Sequence, residues 1–226
     1  MAGTRHGPGS SGLLRAQRVS RAARESLERG LAQLGLEASP GQVESLYGLA
    51  QRVSAWGERI NLTGHRGALA VVQRLVLDAA ALLRAAPGHA SLADLGSGAG
   101  FPGLPIAILR PELRVTLVEA RQRRHYFQRA VCRELGLGNV SAVHGRAEAL
   151  VATPHGAVVA QAVAQADRVL SWMLPWAEPG GWLLVPGGEH PPTLTATAGV
   201  REIEVRRYCV PESGPRRTLW LARRSS

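Results

Sequence analysis

The stretch Asp94-Leu95-Gly96-Ser97-Gly98-Ala99-Gly100-Phe101-Pro102-Gly103 decides the fold of this chain. It follows a short apolar run, Ser91 to Leu95, and leads into a longer one, Pro102 to Leu109, so it reads as a turn from strand to helix. Glycines at alternate positions let the backbone turn tightly and approach a ligand closely. The same rhythm continues downstream. Arg114 to Val118 predicts a second strand, Arg121 to Leu135 a helix, and Asn139 to Val143 a third strand. Gly156 to Ala160 predicts a fourth strand, followed by a helix through Val169 and Met173, and Gly181 to Val185 a fifth strand. Strands alternating with helices imply a doubly wound parallel sheet with its ligand at the carboxyl ends of the strands. Arg201 to Val210 and Thr218 to Arg223, joined by a loop containing Pro211 and Pro215, predict an antiparallel pair on the sheet edge.

Upstream of the glycine turn the pattern is helical. Val43, Leu46, Leu49, Val53 and Trp56 recur at spacings of three and four, and Ser39-Pro40 reads as a cap with proline at the first helical position. Another helix is expected after Gly67, with Leu69, Val72, Val76 and Leu83 on one face. Three regions follow: a disordered tail over 1–12, a helical region over 13–86, and an α/β domain over 87–226.

The 226 residues and 45% hydrophobic content support a packed core, and no run of 18 apolar residues predicts a membrane span. All 27 basic residues are arginine, against 17 acidic ones, for a net charge of +10. Such an excess predicts a polyanionic partner, nucleic acid before membrane. Cys132 and Cys209 are far apart, and the histidines have no metal-ligand spacing, so neither disulfide nor metal is expected and the address is cytoplasmic.

The glycine loop narrows the ligand. Counted from Gly96, the third glycine of G-x-G-x-x-G falls on Phe101; counted from Gly98, a match through Gly100 and Gly103 survives. A P-loop needs lysine, which the chain lacks. The D-x-G-x-G-x-G form beginning at Asp94 is typical of class I S-adenosylmethionine-dependent methyltransferases, whose ligand carries ammonium, carboxylate and sulfonium groups but no phosphate. Glu119 ends the second strand, where a carboxylate can accept both ribose hydroxyls. An NAD-dependent enzyme would use such an acid too, but a Tyr-x-x-x-Lys pair cannot exist here. The expected fold is therefore a Rossmann-like class I methyltransferase with a parallel sheet, C-terminal antiparallel strands and an N-terminal helical extension.

Asn61-Leu62-Thr63, Arg74 to Asp78, Asp94 to Pro105, Arg110-Pro111, Glu119, Arg123-Arg124, Phe127 and the Arg146 to Glu148 loop together resemble the bacterial 16S ribosomal RNA (guanine-N7) methyltransferases, also called the glucose-inhibited division protein B family. The resemblance implies methyl transfer from S-adenosyl-L-methionine to guanine N7, with 16S rRNA or the 30S subunit as partner and a monomer as the working form. N7 has a free lone pair, so positioning and electrostatics suffice for catalysis. The resemblance implies cofactor contacts from Gly96, Phe101, Ala147 and Glu148. With Asp94, Ser97, Gly98, Gly100, Glu119 and Gln161 these form the expected cofactor site. Arg74, Asp78 and Gln161 are the positioning candidates, and Arg121, Arg123 and Arg124 the RNA-binding ones. Tyr126 and Phe127 are expected in the core.

The chain departs from the family in three places. Leu75 follows Arg74 where the family has histidine. Ala160-Gln161-Ala162 replaces Ser-Arg-Ala, and Val185-Pro186-Gly187 replaces Leu-Lys-Gly. Two site cations are thus absent, which keeps open a small-molecule methyltransferase or a non-catalytic RNA- or ribosome-binding paralogue.

Overall fold

The computed structural model describes residues 10–161, 166–194, 198–212 and 214–226. Helix α1 (Ser10–Gln33) and helix α2 (Pro40–Gly57) open the chain. The tail expected over 1–12 lies outside the described residues except at its end, where Ser10 already begins α1. Ser39 and Gln42 cap α2 reciprocally: Gln42 N–H donates to Ser39 Oγ, and Ser39 N–H to Gln42 Oε1. Gln42 Nε2 also donates to the carbonyls of Ile108 and Leu109, at 2.9 and 3.1 Å, so the cap docks α2 onto a helix of the α/β region.

The helix expected after Gly67 comes in three pieces: α3 (Ala68–Val71), a π turn (Val72–Val76) and α4 (Leu77–Ala85). The sheet then builds through β1 (Ser91–Leu95), α5 (Gly103–Leu109), β2 (Arg114–Glu119), α6 (Gln122–Glu134) and β3 (Val140–His144). It ends with β4 (His155–Ala160), α7 (Ala166–Met173), β5 (Ala177–Gly187), β6 (Val200–Cys209) and β7 (Arg216–Arg224). The strand order is β3-β2-β1-β4-β5-β7-β6, with β1 to β5 parallel and the last two strands antiparallel. This is the expected doubly wound sheet with its C-terminal pair. One strand is longer than expected: β5 begins at Ala177 because the chain bulges between His155 and Ala157 of its partner and resumes the ladder at Trp182.

Alternate residues of the strands feed two cores. Leu92, Leu117 and Leu184 face a cluster that also takes Leu27 and Leu31 of α1, Leu46 and Leu49 of α2, Leu77 of α4 and Phe127 of α6. Ala93, Val118, Val158 and Leu183 face a smaller cluster with Val169 and Met173 of α7. The N-terminal helices therefore share one continuous core with the sheet. Leu77, fully buried at that seam, is the point to probe. Leu77→Ala is expected to cost about 2–5 kcal/mol, read by urea denaturation, and both variant and parent should unfold in one transition. Two resolved transitions would show that the helices and sheet unfold separately.

Candidate cofactor site

Where β1 ends, Gly96, Gly98 and Gly100 adopt φ of 73°, 59° and 86°, which side-chain-bearing residues rarely reach. Most of the loop's donors are already engaged within the protein. Gly96 and Ser97 N–H donate to Val118 O at 2.8 and 3.1 Å. Gly98 N–H donates to Glu119 Oε2 at 2.9 Å, while Arg121 N–H donates to Glu119 Oε1 at 2.6 Å. One carboxylate thus ties the glycine loop to the start of α6. On the far side of the loop, Gly103 N–H donates to Asp94 Oδ2 at 2.9 Å. A Cβ at Gly103 would collide with Leu117 and stand 2.9 Å from that same oxygen, so glycine is needed for the close approach.

Gln128, fully buried on α6, holds the loop from beneath. Its Nε2 donates to Ser97 Oγ and Gly98 O, both at 2.8 Å. The sequence reading missed it. The available signal was a polar residue in the buried phase of an amphipathic helix, three residues before Val131.

A cavity of about 420 Å³ opens beside the loop. Gly96, Glu119, Ala147, Glu148 and Gln161 line it, as expected, and so do Arg121 and Arg124. Leu95, Ala160, Val169 and Met173 give it an apolar wall, and Arg146 and Trp172 complete its border. Arg146 stands 3.7 Å from Glu148. Arg124 Nη2 donates to Asn61 O at 3.2 Å, fastening the loop after α2 to this rim.

The other expected site residues lie elsewhere. Asp94, Ser97, Gly98 and Gly100 shape the loop from behind the cavity. Phe101 packs on the larger core cluster rather than lining the cavity, because the loop turns it inward. Arg74 is exposed on the π turn, away from the cavity lining. Asp78 is buried and paired with Arg217 Nη2 at 2.7 Å, a residue far away in sequence on β7. Arg123 is exposed on α6. Tyr126 was expected in the core and is exposed instead, whereas Phe127 is fully buried. Gln161 borders the cavity, and Ala162 lies outside the described residues. Pro186 sits beyond Leu184, where β4 stops pairing, so only β7 flanks it. Among the described residues no three histidine, cysteine or carboxylate side chains gather as a metal cluster would require. Burial pushes the Cys132 thiol up to about 11, which leaves it unreactive.

The electrostatics favour a cationic ligand over a phosphate. Loop N–H groups that would cradle a pyrophosphate already donate to protein oxygens, and two carboxylates, 1% and 5% exposed, stand behind them. Burial, with a contribution from Glu119, raises the Asp94 carboxyl to about 7, and the Gly103 N–H partly opposes this. A cation near the loop would relieve that strain.

The comparisons with known proteins agree with this geometry. A family model described as rRNA small subunit methyltransferase G matches residues 42–203. The chain is 31% identical over 207 residues to a ribosomal RNA small subunit methyltransferase G of Geobacter sp. (strain M21), covering 87% of this chain and 95% of that protein. It is 36% identical to the protein of that name from Chromohalobacter salexigens, covering 88% and 96%. Among solved structures, TrmN from Thermus thermophilus aligns with a TM-score of 0.53 at 20% identity, over 65% of this chain and 48% of that one. A mutant of MtNAS in complex with S-adenosylmethionine aligns with a TM-score of 0.53 at 17% identity, over 96% and 92%. The two structures share the fold.

Asp94 makes stability depend on pH in a testable way. Its folded pKa is raised to about 7 from 3.8, so the native state holds the extra proton. The stabilisation is complete below pH 4 and is lost as pH rises through 7. Asp94→Asn should therefore gain stability over the parent between pH 4 and 7, by on the order of 4 kcal/mol, in thermal or urea unfolding. Parallel pH profiles for the two proteins would contradict it.

Proposed function

Because the chain belongs to the rRNA small subunit methyltransferase G family, we propose that it is an S-adenosylmethionine-dependent methyltransferase of 16S ribosomal RNA acting at guanine N7, on the free RNA or the 30S subunit. The observation that carries this reading is the Glu119 carboxylate at the cavity wall. It accepts one backbone N–H on each oxygen. A carboxylate offers about four lone-pair sites, so two remain for the hydroxyls of a ribose.

The donor set also fits S-adenosylmethionine in charge. Glu119 supplies a negative field for ammonium and sulfonium groups, with Asp94 able to ionise beside a cation, and no phosphate has to be held. The bound cofactor supplies an electrophilic methyl group that a neutral nitrogen lone pair attacks directly. The chain's own work is then positional. Leu95, Ala160, Val169 and Met173 keep water from one side of the cavity, and Glu148 lines it with Glu119. Among the described residues no histidine, cysteine or tyrosine lines the cavity, which suits an acceptor that needs no deprotonation. Arg121, Arg124 and Arg146 at the rim, with Arg123 beside them, offer partners for RNA phosphates.

These rim arginines also answer the neutral Gln161 and Pro186, since the mouth of the cavity keeps its positive charge without them. The reading favours ribosomal RNA over a small molecule for this reason. A cytoplasmic monomer is the form this reading assigns to the protein.

Two measurements test the reading together. In Glu119→Gln an amide NH₂ must face the N–H of Gly98 or Arg121, so the affinity for S-adenosylmethionine in calorimetry should fall about tenfold or more. The parent protein should transfer labelled methyl groups to undermethylated 30S subunits or free 16S rRNA, at a guanine that becomes cleavable by borohydride and aniline. Methyl transfer without such a guanine, or no transfer to either RNA, would displace the assignment.

A further inference from the structure

Tyr126 lies outside the cofactor site and is 51% exposed, although its neighbours His125 and Phe127 are buried. Its ring borders a surface hollow of about 330 Å³ together with Arg129, Ala130 and Arg133. The spacing of three, four and seven residues puts all four side chains on one face of α6. The ring is held in place: Gln122 Nε2 donates to Tyr126 Oη at 2.8 Å along the same face.

The charge around this ring is unbalanced. Ten arginines elsewhere pair with carboxylates. Among the described residues, Arg123, Arg129 and Arg133 of α6 join no ion pair, and Glu134, the acid on this helix, is taken by Arg52 at 2.6 Å. Like charges three and four residues apart repel along a helix, so the stripe costs stability in the free protein and is relieved by an anion. Burial, then His144 and Arg129, lower the pKa of the adjacent His125, so that ring adds no further charge at neutral pH.

An exposed aromatic flanked by unpaired guanidinium groups suits a nucleobase stacked on the ring with its phosphates on the arginines. The face lies round α6 from the cavity rim, since at about 100° per residue Tyr126 stands roughly 200° from Arg124. Arg124 borders the cavity, and Arg133 follows nine residues later, about 14 Å along the helix axis. That is the span of a few nucleotides.

We propose that Tyr126, Arg129 and Arg133 form a second contact for single-stranded RNA, in which Tyr126 stacks on an unpaired base near the target nucleotide. The proposal rests on the reading of the protein as an rRNA methyltransferase and names how that RNA is gripped beyond the cavity. A helix of paired RNA keeps its bases stacked on each other and offers Tyr126 no free face.

The test uses the full chain, with Tyr126→Ala, Tyr126→Trp and the double variant Arg129→Gln/Arg133→Gln. Filter binding to a single-stranded oligoadenylate should weaken about tenfold in Tyr126→Ala and recover in Tyr126→Trp. A duplex of the same length should bind Tyr126→Ala and parent alike. The double-arginine variant should flatten the salt dependence of RNA binding by a slope of roughly 1–2. In methyl transfer the same variants should raise KM for RNA while leaving kcat and the calorimetric affinity for S-adenosylmethionine unchanged. If Tyr126→Ala binds the single strand as the parent does, or Tyr126→Trp fails to restore it, the stacking contact is wrong. A parent that binds RNA through Tyr126 but transfers no methyl group would overturn the enzymatic reading and leave this contact standing.

Discussion

One carboxylate, Glu119, organises the centre of the molecule. It lies at the end of β2 and accepts the N–H of Gly98 on one oxygen and that of Arg121 on the other. The glycine loop and the first turn of α6 are therefore fixed relative to each other by a single side chain. Both bonds are to a carboxylate and both are partly buried, where such bonds are strong. Asp94 does the parallel task on the α5 side through Gly103. Most features of the site follow from these two anchors: which loop N–H groups remain for a ligand, the sign of the local field, and where the cavity opens.

That arrangement separates charge by depth. Carboxylates stand behind the loop and arginines stand at its rim and along α6. A cationic cofactor is favoured inside and a polyanion outside, so the two ligands of a methyltransferase acting on RNA are sorted by electrostatics before any shape is matched. The net charge of +10 is distributed to the same end. Many arginines elsewhere are neutralised by ion pairs within the fold, among them Arg217 with Asp78 and Arg52 with Glu134, whereas the outer face of α6 is left unneutralised.

Much of the architecture was legible in the chain because it depends on local periodicity. The short apolar runs of β1 to β4, the glycine loop, the cap at Ser39 and the C-terminal pair were all readable from neighbours in sequence. Glu119 was readable too, as the acid ending a strand next to a glycine turn. The misreadings have physical causes. Tyr126 lies between two residues that are buried, but a helix turns by about 100° per residue, and at that step it points outward. Gln128 was overlooked because its value lies in two bonds to a loop thirty residues earlier, which no spacing rule encodes.

By itself the sequence determined the order and type of the elements, the position of the ligand loop and the basic character of the surface, since each is carried by residues close together in the chain. Only the tertiary structure decided which charges are cancelled and which are exposed. Asp78 meets Arg217 and Arg124 meets Asn61 through contacts between distant segments, and Arg129 and Arg133 are left without such a contact among the described residues. Pairing is a matter of distances in space of a few ångströms, and those distances exist only after the sheet has brought the segments together.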